Sequence, residues 1–175
     1  MMPLNTFFWL VVLMFGFIGA LRGWVRELLV TLAIISAYFL RWLILNIIPF
    51  VREYLRARSP TEQFFIFSVL FIVMALFGYA GPAISPYLAG KARREKIQDL
   101  LLGFIIGAAN GYLLAGTIWG FLDAAGYGIW GIAAPPEGSA AAQLVSHFLP
   151  RAWMTDTLIL ILTGVTLIVV LVVLL

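Results

Sequence analysis

Read for its apolar and polar positions, the chain divides into five apolar stretches, about Phe7–Leu21, Leu28–Ile48, Gln63–Tyr79, Leu100–Leu122 and Thr157–Leu175. A helix needs about 20 apolar residues to cross a hydrocarbon core of about 30 Å, and such runs leave no water to satisfy the backbone, so helix is the expected form. The polar positions fall between the runs. Arg22-Gly23-Trp24-Val25-Arg26-Glu27 puts three charges in six residues, too costly for the bilayer centre, and predicts a tight helical hairpin. Pro49 ends or kinks the second run, and Val51–Arg58, with Arg52, Glu53, Arg56 and Arg58, reads as a short amphipathic helix lying along the interface.

Start and stop signals bound the remaining elements. Ser59 as cap, Pro60 at the first helical position and Glu62 completing a capping box predict the start of the third span. Gly81-Pro82 and Ser85-Pro86 break it, and the charged run Lys91, Arg93, Arg94, Glu95 and Lys96 leads to Asp99 at the head of the fourth. Residues Asp123–Arg151 form a Gly-, Ala- and Pro-rich loop in which Ser139–Leu149 predicts a short amphipathic helix ended by Pro150. Thr155 or Asp156 caps the fifth run, which at 1.5 Å per residue reaches about 29 Å.

Composition fits this reading. Of 175 residues, 63% are hydrophobic and 11% charged, against about 25% charged in soluble domains, and mean hydropathy is +1.07. The expected fold class is all-α: a polytopic transmembrane helical bundle of four to five spans with short interfacial helices. It forms one membrane domain over 1–175, with a four-span core at 7–122, an extramembrane loop at 123–156 and an additional span at 157–175. The first run has no basic residue before it and ends at Leu21-Arg22 without a small-residue cleavage pattern, so it is expected to be a retained span rather than a signal peptide. The net charge of +3 is explained by basic residues flanking spans; no basic stripe with interleaved aromatics points to nucleic acid. Placing the N-terminus outside puts six basic residues on the cytoplasmic side and five opposite, and the density of Lys91–Lys96 favours that arrangement, with the C-terminus cytoplasmic.

Several residues carry candidate chemistry. Gly103, Gly107 and Gly111 recur every fourth position, as do Gly116 and Gly120, while Gly16 pairs with Ala20 and Gly19 with Gly23. Four residues return to one helix face, and small residues there admit another backbone, either within the chain or between protomers. Asn110 lies mid-span and must face protein, as interhelical glue or as lining of a polar path. Arg22, Arg26 and Glu27 at the hairpin and Asp99 at the fourth span form the expected polar cluster, with Arg22 or Arg26 pairing Asp99 as a latch or as part of a partner or transport site. Arg41 falls inside the second run and is expected to snorkel to the headgroups. There is no cysteine and one histidine, His147, in the loop. No nucleophile–base pair, phosphate loop or metal-ligand spacing appears, so the expectation is a non-enzyme without cofactor or metal. The tryptophans near span ends read as an interfacial belt.

Two stretches resemble a known family. Gly16-Phe17-Ile18-Gly19-Ala20-Leu21-Arg22-Gly23-Trp24-Val25-Arg26-Glu27-Leu28 resembles the glycine- and arginine-bearing hairpin of the colicin V production protein (CvpA) family, and Asp99-Leu100-Leu101-Leu102-Gly103, followed by Gly107 and Gly111, is similar to its Asp-led, Gly-rich span after a basic loop. The resemblance covers about residues 7–122; the fifth run departs from the family's four-span pattern. It implies a bacterial inner-membrane protein needed for colicin V production or export and linked to envelope integrity, and it assigns no catalytic residues. The leading expectation is therefore a membrane scaffold or accessory protein, partnered by the bilayer and by its own copies or other membrane subunits. A small channel or transporter subunit and an accessory subunit of an energy-converting or photosynthetic complex are the alternatives.

Overall fold

The computed structural model describes residues 3–80, 96–129 and 131–174. Eight α-helices lie among them: α1 (Leu4–Arg22), α2 (Trp24–Asn46), α3 (Pro49–Arg56), α4 (Pro60–Ala80), α5 (Lys96–Ala124), α6 (Ala140–Gln143), α7 (Pro150–Trp153) and α8 (Asp156–Leu174). The protein is all-α, and no strand occurs among the described residues. α1, α2, α4 and α5 are each long and apolar enough to cross a membrane; Ala140–Trp153 and Asp156–Leu171, bent by 55° at their break, are so only when taken together as one broken span. The breaks expected at Gly81-Pro82 and Ser85-Pro86, and Lys91, Arg93, Arg94 and Glu95 of the charged run, lie outside the described residues.

Local chemistry sets the boundaries. Gly23 separates α1 from α2 with φ +87° and ψ 151°, a region open almost only to glycine. The capping box forms at α4: the Ser59 backbone N–H donates to Glu62 Oε2 at 2.8 Å and the Glu62 N–H to Ser59 Oγ at 3.2 Å. Ser59 also donates through its hydroxyl to the same carboxylate. At α8 it is Thr155 that caps, accepting from the Leu158 N–H at 3.3 Å. Ser139 caps α6 by accepting from the Ala142 N–H, and a wider π-helical turn over Leu144–Phe148 carries the chain to Pro150.

α5 is the axis of the bundle. α1 packs along it most extensively, and α2, α4 and α7 also pack on it. α1 packs far less on α2, although the two are consecutive, and it meets α4 through side chains, Arg22 and Phe15 at Tyr79 and Phe8 in one core with Phe64, rather than along the backbone. Val30, Ile34, Ala37 and Tyr38 of α2 pack with Phe71 and Ala75 of α4 and Ile159 of α8 in one core; Phe8 and Val12 of α1 pack with Trp119 and Leu122 of α5 and Leu149 in the other. Since α1 and α4 start, and α2 and α5 finish, at the same end, the bundle has a hairpin end at Gly23 and a loop end at α3 and residues 125–155.

The loop is folded back on the bundle rather than extended. Gly116 lets Pro150 approach, its absent Cβ leaving room for Cδ at 2.7 Å. Arg151 Nη1 donates to Asp123 Oδ2 at 2.6 Å, the Trp153 indole donates to Tyr112 Oη at 3.0 Å, and the Tyr112 hydroxyl donates to the Phe148 carbonyl. Gly116 and Gly120 thus seat α7 on α5, not a further membrane helix.

Candidate functional site

The polar side chains of the hairpin end converge between α1, α2, α4 and α5. The small residues make this convergence possible. A Cβ on Gly19 would overlap the Gly103 carbonyl and reach Gly107 Cα at 2.8 Å, and one on Gly107 would overlap the Phe15 carbonyl. A Cβ on Gly16 would meet the Phe104 ring at 2.9 Å, and one on Gly111 the Phe15 side chain at 2.7 Å. The glycine faces of α1 and α5 therefore meet backbone to backbone within one chain, and dispersion over that contact replaces the hydrophobic drive that lipid does not supply.

This close approach brings Asn110 of α5 to the first turns of α2. Glu27 and Asn110 are both 0% exposed. Asn110 Nδ2 donates to the Glu27 carbonyl at 2.9 Å and to Glu27 Oε2 at 3.1 Å, and Thr31 Oγ1 donates to Asn110 Oδ1 at 2.7 Å. Arg22 Nη1 donates to Glu27 Oε1 at 2.8 Å and Nη2 to the Tyr79 carbonyl at 3.1 Å. The Arg22 guanidinium lies 4.3 Å from the centre of the Tyr79 ring, and the Tyr79 hydroxyl donates to Glu27 Oε2 at 3.4 Å. One carboxylate is thus held by an arginine from α1, an amide from α5 and a phenol from α4. A buried charge in so apolar a bundle requires such pairing.

Of the two pairings expected for Asp99, with Arg22 or with Arg26, the one with Arg22 does not form. Arg22 and Glu27 flank the Gly23 break, so the turn itself brings them face to face, and Arg22 pairs with Glu27. Asp99 instead accepts from the Trp24 N–H at 3.2 Å, satisfying one of the unpaired donors of the α2 N-terminus. Its carboxylate lies where a Gly23 Cβ would stand, at 2.9 Å. Arg26 sits on the exposed face of the first turn of α2. The sequence missed Tyr79 and Thr31, which complete the cluster, and Gly78, where a Cβ would come within 2.8 Å of Val30 Cα. An aromatic closing a span reads as belt, and a threonine in a helix bonds its own turn, as Thr31 also does to the Glu27 carbonyl; neither carried a distinguishing signal.

The loop end holds a different polar group. Arg41, expected to snorkel, packs along the rings of α4 and α5 near the end of α2. Its guanidinium lies 5.0 Å from the Phe67 ring centre and 5.4 Å from that of Phe121, and its Nε is buried without a hydrogen-bond partner. Nearby, the Tyr38 and Thr117 hydroxyls bond each other across α2 and α5. Among the described residues, no group of three or more His, Cys, Asp or Glu side chains is arranged to hold a metal ion.

Compared with protein families, residues 4–131 match the profile described as colicin V production protein. Neither the curated proteins nor the solved structures gave a match.

Proposed function

The chain belongs to the colicin V production protein family, and from that premise we propose that this multi-pass helical membrane protein is a scaffold or accessory component supporting toxin production or secretion and envelope homeostasis in a bacterial inner membrane. The observation that carries the proposal is the use made of the hairpin-end polar groups. Arg22, Glu27, Tyr79 and Asn110 bond to one another across four helices. Side chains spent on joining helices serve rigidity, which suits a component that other membrane subunits, or further copies of this chain, assemble upon. The outward apolar side chains of α1, α4 and α8, among them Phe17, Phe77 and Ile168, are exposed and suit contact with lipid tails or such subunits. On this reading the protein performs no catalytic step and needs no cofactor, its N-terminus is outside and its C-terminus cytoplasmic.

Complementation tests the proposal. In a colicin V-producing bacterium lacking its own family member, the chain is expected to restore toxin release and resistance to envelope stress. Purified protein in liposomes is expected to give no ion or solute flux. Failure to restore release, together with measurable flux, would replace the scaffold with the channel reading.

A further inference from the structure

Two adjoining cavities at the loop end have complementary chemistry. The first, of about 330 Å³, is an apolar cleft. Phe7, Phe8 and Val11 of α1 form one wall, Phe64 of α4 the other, and Ala115 and Trp119 of α5 part of the floor. It exists because α1 and α4 both pack on α5 while their own backbones stay apart. It is open on one side and is roughly twice the ~150 Å³ of an engineered apolar cavity that takes benzene. In a bilayer such a cleft is filled by hydrocarbon chain rather than water. The second, of about 160 Å³, is lined by Arg41, Gln63, Phe67 and Phe121, with Phe64 shared between the two.

The cation in the second cavity is what singles out an occupant. Arg41 lies five residues before the end of α2 at Asn46, about 8 Å along the helix axis, and faces the first turn of α4 at Pro60 and Gln63. From there the long arginine stem reaches the headgroups, as it could not from mid-bilayer. Among the described residues no carboxylate forms an ion pair with Arg41, and its buried Nε lacks an acceptor. Asp156 and Arg151 act on it from a distance with opposite sign. A guanidinium fixed between aromatic rings keeps its donor fork free for a planar or tetrahedral oxyanion. We infer that the loop end binds one anionic phospholipid, an acyl chain lying in the α1–α4 cleft and the phosphate on Arg41. Phe64 stands where the chain meets the headgroup. This inference rests on the cavities and not on the scaffold reading.

Native mass spectrometry of the full chain in mild detergent tests it, with phosphatidylglycerol and phosphatidylcholine of identical chains in competition. The wild-type protein is expected to retain one phosphatidylglycerol about five- to tenfold in preference, the scale of one basic contact at a membrane surface. Arg41→Gln should bring the ratio to about one. Ala115→Phe, which fills the cleft, should lower retention of both lipids. Excess inorganic phosphate should displace neither. Equal retention of the two lipids by the wild-type protein overturns the inference whether or not the variants fold. So do an undiminished preference in Arg41→Gln, displacement by phosphate alone, or occupancy of the cleft by a neutral hydrophobe or peptide.

Discussion

At the hairpin end, the buried Glu27 and Asn110 find partners on other helices, whereas at the loop end Arg41 is packed against rings with its Nε unsatisfied. The packing differs in the same way. Glycines bring α1 and α5 into backbone contact near Gly19 and Gly107, while toward the loop end α1 and α4 leave a cleft. A polar group in lipid must be compensated, but the compensation need not come from protein. One end closes its polar network internally and becomes a clamp. The other leaves a cation and an apolar slot facing the place where lipid is.

Perturbations should therefore act unequally on the two ends. The largest loss is expected for Gly107→Leu, whose side chain would displace the Phe15 and Gly19 backbones. Overpacking against backbone should cost about 3 kcal/mol or more, read as loss of folded protein in detergent thermal melts. Ala115→Phe, at the cleft, should cost less than about 1 kcal/mol in the same assay, and similar losses at both sites would erase the contrast. Glu27→Gln comes next. Breaking a buried pair costs about 3–5 kcal/mol, but the Arg22 side chain retains 24% exposure, so about 2 kcal/mol is expected. Gly23→Ala combines a disallowed backbone with the Asp99 contact and should cost about 1–2 kcal/mol. Asn110→Leu should cost about 1 kcal/mol, as interhelical hydrogen bonds in membranes do. Smallest is Arg41→Gln, expected within about 0.5 kcal/mol of wild type, because it removes a charge with no partner to orphan; a loss matching that of Glu27→Gln would place Arg41 in a structural network as well.

The apolar runs were legible because their physics is local: length and composition alone require helices in lipid. The capping box at Ser59 and Glu62 was legible for the same reason, since both partners lie within one turn. The residues of the hairpin cluster stood out because charges and amides are rare in such a chain. Their pairing did not. Glu27 and Asp99 both offered Arg22 a carboxylate in the sequence; the turn at Gly23 sets it against Glu27, and its other nitrogen takes the Tyr79 carbonyl of α4, which no pattern marks. Asp99 bonds a backbone N–H, which every residue but proline offers and no pattern marks. For Arg41, the pattern placed it in a span but could not tell inward from outward, because the Phe67 and Phe121 rings that hold it come from distant helices.

A double-mutant cycle between Arg22 and Glu27, measured as unfolding free energy of the full chain in bilayer-like micelles, tests the clamp most directly. Arg22→Gln and Glu27→Gln should each destabilise, and the double variant should be no worse than either alone, giving a coupling of about 1–3 kcal/mol. Losses that simply add would mean that the 2.8 Å contact between Arg22 and Glu27 does not hold the helices together.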